Sequence, residues 1–120
     1  MILLFLALFL ISLFQTVAPS HGKAEELEWT LRNEYGSTVY VMFFSKTRSH
    51  NWPGKGNTYV FNDAKNHTQR LSCRRGETIC FGGFNAQRSL FWGVGEAGTK
   101  GCQTCCSVCG EYYTDVDVLN

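Results

Sequence analysis

Beyond the first 22 residues, apolar and polar positions alternate in short runs, and no stretch repeats with the period of a helix. Leu27-Glu28-Trp29-Thr30-Leu31-Arg32 has the two-residue alternation of a half-buried strand, with Trp29 on the core side. Thr38 to Phe44 is β-branched and aromatic on both faces, which predicts a central strand covered twice. The polar run Ser45 to Asn51, followed by Trp52-Pro53-Gly54-Lys55-Gly56-Asn57, is the longest loop signal. Thr58 to Phe61 and Thr68 to Cys73 predict two more strands. Gly76-Glu77 then supplies a two-residue hairpin turn of type II′, with position 75 facing 78, 74 facing 79 and 73 facing 80. Thr78 to Phe81 and Ser89 to Val94 continue the pattern, the latter with Leu90, Trp92 and Val94 on one core-directed face. Glycines at 93, 95, 98 and 101 interrupt regular structure before Tyr113 to Leu119 closes the chain as a strand. About seven short strands with closely spaced turns predict an all-β fold, a small sandwich or barrel.

The start of the chain follows a different rule. Met1 to Val17 carries no charged side chain and is rich in Leu, Phe and Ile, and Pro19 ends the run. An apolar core of this length suits an export signal, whereas a spanning helix needs about 20 apolar residues. Small residues in Ser20-His21-Gly22 favour cleavage after Gly22, with Ala18-Pro19-Ser20 as the competing site. The expected organisation is a signal peptide at 1–22 and one cysteine-rich β domain at 23–120, secreted and extracellular.

That address changes how the cysteines read. All six lie in the mature part, at Cys73, Cys80, Cys102, Cys105, Cys106 and Cys109. The two back-to-back C-x-x-C pairs at 102–109 have the ligand spacing of a structural zinc site. In an exported chain, oxidation competes with metal binding, so three disulfides are expected and no metal or cofactor. A redox role needs a helix N-terminus to lower a thiol pKa, and this cluster sits in a Gly/Ser/Thr loop. Cys73 and Cys80 can pair across the predicted hairpin, or each can reach into the C-terminal cluster. The second arrangement is favoured because it anchors the glycine-rich segment and closes longer loops. Asn66-His67-Thr68 is an N-glycosylation sequon in polar surroundings, making Asn66 a candidate glycan site.

Net charge is only +1, but it is unevenly spread. Between Lys46 and Arg88 eight basic residues face two acidic ones, while both ends of the mature chain are acidic. Blocks of charge are commonly solvated surface, and they also meet anionic headgroups, sulphated glycans or acidic receptors. Lys46, Arg48, Arg74 and Arg75 are the cationic contact candidates, the last two projecting from the predicted hairpin tip. Trp52, beside Pro53 and Gly54, either stacks on a sugar or membrane surface or folds back to cap one end of the domain. Asp115, Asp117 and Glu111 could surround a calcium ion, but their spacing matches no calcium loop and favours a solvated face. After the leader only His50 and His67 are available as general bases, and no motif surrounds any serine, so no catalytic site is expected.

Trp52-Pro53-Gly54, Leu71-Ser72-Cys73, Gly76-Glu77, Ile79-Cys80, Trp92-Gly93-Val94-Gly95 and the 102–109 cluster together resemble small secreted cysteine-rich proteins. The overall plan, a leader followed by a compact disulfide domain, is similar to that of venom components. That resemblance implies a non-enzymatic effector of toxin or defence type. Its expected partner is an extracellular receptor, channel or membrane surface rather than nucleic acid. A carbohydrate-binding module using Trp52 is the alternative, and a matrix protein a third reading.

Overall fold

The computed structural model describes residues 24–111 and 115–120, so the predicted leader, its cleavage site and the start of the Tyr113 strand lie outside the described residues. Nine strands are formed among the described residues: β1 Ala24–Asn33, β2 Val39–Ser45, β3 Asn51–Trp52, β4 Tyr59–Phe61, β5 Asn66–Arg74, β6 Thr78–Asn85, β7 Phe91–Gly93, β8 Cys106–Val108 and β9 Val116–Leu119. They make two sheets rather than a closed barrel. In the first sheet β1 is central, antiparallel to β5 from Ala24↔Arg74 to Arg32↔Asn66 and parallel to β9 from Thr30↔Val116 to Asn33↔Leu119. In the second, β2 and β6 run antiparallel down the middle. The short β3 and β4 share the outer edge of β2, and β7 and β8 share that of β6.

The alternation explains the stacking. Leu27, Trp29 and Leu31 of β1, Leu71 and Cys73 of β5 and Leu119 of β9 turn inward from the first sheet. Val39, Val41 and Phe43 of β2 meet them with Ile79 and Phe81 of β6. The Trp29 ring is the hub, with centroids 5.1 Å from Phe43 and 5.9 Å from Phe81. Its indole N–H donates to the Asp117 carboxylate at 2.6 Å, tying β1 to β9. Each large side chain buried here contributes about 1.5–3 kcal/mol. Asn33 secures the passage from β1 to β2: its side-chain amide donates to the carbonyls of Ser37 and Phe61, and its oxygen accepts from the Tyr35 amide.

Several expectations change at this level. The Gly76-Glu77 hairpin does not form, because β5 belongs to the first sheet and β6 to the second. The connection is an arch instead. Its turn has the Glu77 amide donating to the Arg74 carbonyl, and Gly76, at φ +84°, sits in the third position where a left-handed residue is needed. Cys73 and Cys80 are therefore not cross-strand neighbours. The favoured alternative is the one observed: Cys73 bonds Cys109, Cys80 bonds Cys106, and Cys102 bonds Cys105. Two strands lie where loops were expected, β3 at Asn51–Trp52 and β8 inside the cysteine cluster, since each is only an edge segment recruited by a longer neighbour. Strand β7 stops at Gly93, whose φ of +59° leaves the extended region; Val94 is buried and the half-buried Trp92 packs against the core as expected, whereas Leu90, ahead of the strand, is exposed.

Strand β6 runs on through Gly82 and Gly83 to Asn85, past the expected end at Phe81. Glycine inside a strand ordinarily weakens it. Here it permits a close approach: a Cβ on Gly82 would lie 2.0 Å from the Gly95 carbonyl oxygen. The glycine-rich segment after β7 thus lies flat on the outer face of the second sheet, and Gly98 rests on the Phe44 ring.

Candidate functional site

Around the arch, the structure gathers most of the predicted contact residues, but to an internal purpose. Glu77 is buried, and its carboxylate accepts from the Ser45 hydroxyl at 2.6 Å, the Arg74 amide at 3.0 Å and the Arg48 guanidinium through both Nε and Nη2. Burial pushes the Glu77 carboxyl up, and the hydrogen bonds from Arg48, Ser45 and Arg74, with the charge of Arg48, outweigh it and bring it down to about 2. The same pairing raises Arg48 above its usual value. Arg48 is thus an anchor for the 45–51 loop.

Trp52 is also withdrawn from the surface. It is 7% exposed, its indole N–H donates to the Ser72 carbonyl at 3.0 Å, and His50 packs edge-on to it. Of the two expectations for Trp52 the cap is the one observed, so Trp52 is not a surface contact: a backbone acceptor on β5 satisfies its one polar atom within the core. Lys46 donates from Nζ to the Gly98 carbonyl and holds the glycine-rich segment down. Arg75 is exposed and pairs with Glu25 at 3.2 Å. Arg74 is exposed with no ion-pair partner among the described residues. Of the predicted cationic contacts Arg74 is thus the one whose side chain is neither ion-paired nor hydrogen-bonded among the described residues, and with Arg75 it lies at the arch rather than at a hairpin tip.

Asn66 opens β5 on the outward face of the first sheet, exposed, with its side-chain oxygen accepting from Arg32 at 3.0 Å. Two residues along, the Thr68 and Thr30 hydroxyls share a hydrogen bond. His67 bonds Asp63 at 2.6 Å and packs against Phe61. That bond and the Lys65 amide hold the Asp63 carboxyl below its usual value. Asp117 is engaged by Trp29, and no cluster of three metal-binding side chains occurs among the described residues.

The most distinctive surface is one the sequence reading treated as core. Thr38 to Phe44 was expected to be covered on both faces, and its outward face is covered only in part. The register aligns Val60, Tyr40, Phe84 and Phe91 across β4, β2, β6 and β7, all on the outward side. Val60 is 54% and Phe91 40% exposed. Tyr40 and Phe84 stack at 5.4 Å, and the Arg88 guanidinium lies 5.1 Å over Phe84. Lys100 reaches to 4.6 Å over Phe91. One row along, Met42 faces Gly82, and beside it opens a cleft of about 520 Å³ lined by Tyr40, Met42, Thr58, Phe84, Arg88 and Glu96, with Gly56 and Ala86 completing it. Arg88 and Glu96 form an ion pair at 2.8 Å on its rim. Arg88 holds a left-handed backbone at φ +54°, a conformation that glycine or asparagine adopts more easily. The one sequence signal for this face was the doubly apolar pattern of Thr38 to Phe44, which does not say what covers each side.

The chain matches no family model, no curated protein and no solved structure.

Proposed function

We propose that this protein is a secreted, non-enzymatic effector of toxin or defence type that acts by binding an extracellular target, with the outer face of its second sheet as the contact surface. The observation that carries this is the apolar row Val60, Tyr40, Phe84 and Phe91, with Val60 and Phe91 exposed at its two ends, Tyr40 half-buried and Phe84 buried between them, set on strands that a disulfide at Cys80–Cys106 fixes from one end. A contiguous apolar patch on a small domain marks an interaction surface, and rigid aromatics lose little entropy on contact. Three disulfides are consistent with an oxidising, extracellular setting. Asn66 on the opposite sheet would take a glycan without touching the contact face. Neither His50 nor His67 sits in an assembled catalytic constellation: one packs on Trp52, the other bonds Asp63.

The test is binding of purified, oxidised protein to intact cells and to liposomes. Wild type binds, and Phe91→Ser combined with Val60→Ser reduces binding at unchanged circular dichroism. No binding of wild type to either would overturn the proposal. If Arg74→Ala with Arg75→Ala abolished binding and the apolar pair did not, the contact surface would move to the arch.

A further inference from the structure

Resting on that binding reading, we infer that the cleft beside Met42 takes a neutral sugar ring, so that the extracellular target is a glycan. The cleft combines two chemistries within one small space. Met42, Tyr40 and Phe84 give it apolar sides, and Thr58, Arg88 and Glu96 bring a hydroxyl, N–H donors and a carboxylate to its rim. A pyranose has the matching distribution, with C–H groups on its faces and hydroxyls around its edge. Its hydroxyls both donate and accept, which suits a rim offering both functions side by side.

The charge on the rim narrows the class further. Arg88 and Glu96 neutralise each other at 2.8 Å, so the cleft has no surplus cation to hold a phosphate or sulphate. Only Nε of Arg88 is committed to Glu96, so the guanidinium has further N–H donors to offer a ligand. The pair is also accessible, with side chains 59% and 35% exposed, so bound hydroxyls can join it without breaking it. An anionic ligand would find an unpaired guanidinium at Arg74 on the arch instead. The volume of about 520 Å³ falls within the range of small-ligand sites and accommodates one or two sugar rings. The turn at Arg88, with its left-handed backbone, holds the guanidinium over Phe84 at the edge of the cleft.

The experiment is an array of neutral hexose and N-acetylhexosamine oligosaccharides, with sulphated and sialylated oligosaccharides and phosphatidylserine liposomes as further arms. Wild-type protein is expected to bind at least one neutral oligosaccharide. Glu96→Gln, a partly exposed substitution that leaves the sheet intact, weakens it about tenfold or more, the effect of losing a charged hydrogen bond. Arg74→Ala leaves it unchanged. A blank neutral array, binding confined to the anionic glycans or liposomes, or neutral binding unaffected by Glu96→Gln overturns the sugar assignment. The two readings separate on cells: binding to cells with a blank array removes the sugar and keeps the binding protein, whereas no binding to cells removes both.

Discussion

Across β1 and β5 the outward side chains pair off: Glu28 with Arg70 at 3.3 Å, Thr30 with Thr68 at 2.8 Å, Arg32 with Asn66 at 3.0 Å. Across β2 and β6 the equivalent outward positions carry Tyr40, Met42, Phe44, Phe84 and Gly82. Both sheets obey the same alternation and bury the same kind of inner face. The first face is polar along β1 and β5, with three of its outward positions joined to cross-strand neighbours. The second is covered only at one end, where the glycine-rich segment lies over Phe44 and Gly82. At the other end Val60 and Phe91 keep apolar surface in water on either side of the Tyr40–Phe84 stack, and an exposed apolar patch of this kind suits contact with something else.

The severest way to break this contrast removes what both faces stand on. Cys73→Ser with Cys109→Ser opens a link between residues 36 apart and is expected to cost roughly 4 kcal/mol, read as a large fall in melting temperature with both faces lost together. Glu77→Gln comes next. The Glu77 carboxyl is held near 2 in the folded chain against a usual 4.5. Its stabilisation, about 3 kcal/mol, is therefore fully present above pH ~4.5 and is lost as pH falls toward 2. Urea midpoints should decline over that window in wild type and much less in Glu77→Gln, which is already weaker at pH 7. Equal slopes in the two proteins would remove Glu77 as the cause.

Smaller effects separate the faces. Gly98→Val places a side chain against the Phe44 ring at a backbone φ of +71° and should cost about 1–3 kcal/mol. Amide exchange should quicken in the segment around Gly95 and along β6, with β1 and β5 unaffected. The least change is expected from Glu28→Ala with Arg70→Ala, at most about 0.5 kcal/mol, because exposed ion pairs contribute little. A loss of several kcal/mol there would show that the polar face is a structural network and not a solvated one.

What the sequence disclosed follows from what is local. The alternation at Leu27 to Arg32, the apolar Thr38 to Phe44 and the strand at Thr68 to Cys73 all survive within a few residues, because each pattern is a property of one segment. The disulfide pairing of Cys73 and Cys80 into the C-terminal cluster was legible as the favoured of two choices. Sheet membership was not. A turn such as Arg74 to Glu77 looks the same whether the strands beside it pair or part, and the deciding partners, β1 for one and β2 for the other, lie more than 30 residues away. The choice between the two readings of Trp52 was closed to sequence for the same reason, its acceptor being the carbonyl of Ser72. The cleft was hidden because its residues come from β2, the 53–58 loop, β6 and the turn and loop around β7, and only the register brings them together.

The pairing of β1 with β9 has a consequence for how the protein comes into being. The centre of the first sheet is the first strand among the described residues, yet one of its two neighbours, joining at Val116 to Leu119, is the last of them. Every disulfide likewise waits for a cysteine at or beyond position 102. Contacts this distant in sequence form late and slowly, so the cross-linked first sheet is expected to be among the last parts completed. A product cut short before Cys102 would hold only Cys73 and Cys80, neither with its proper mate, so completeness of synthesis is written into the cross-links themselves.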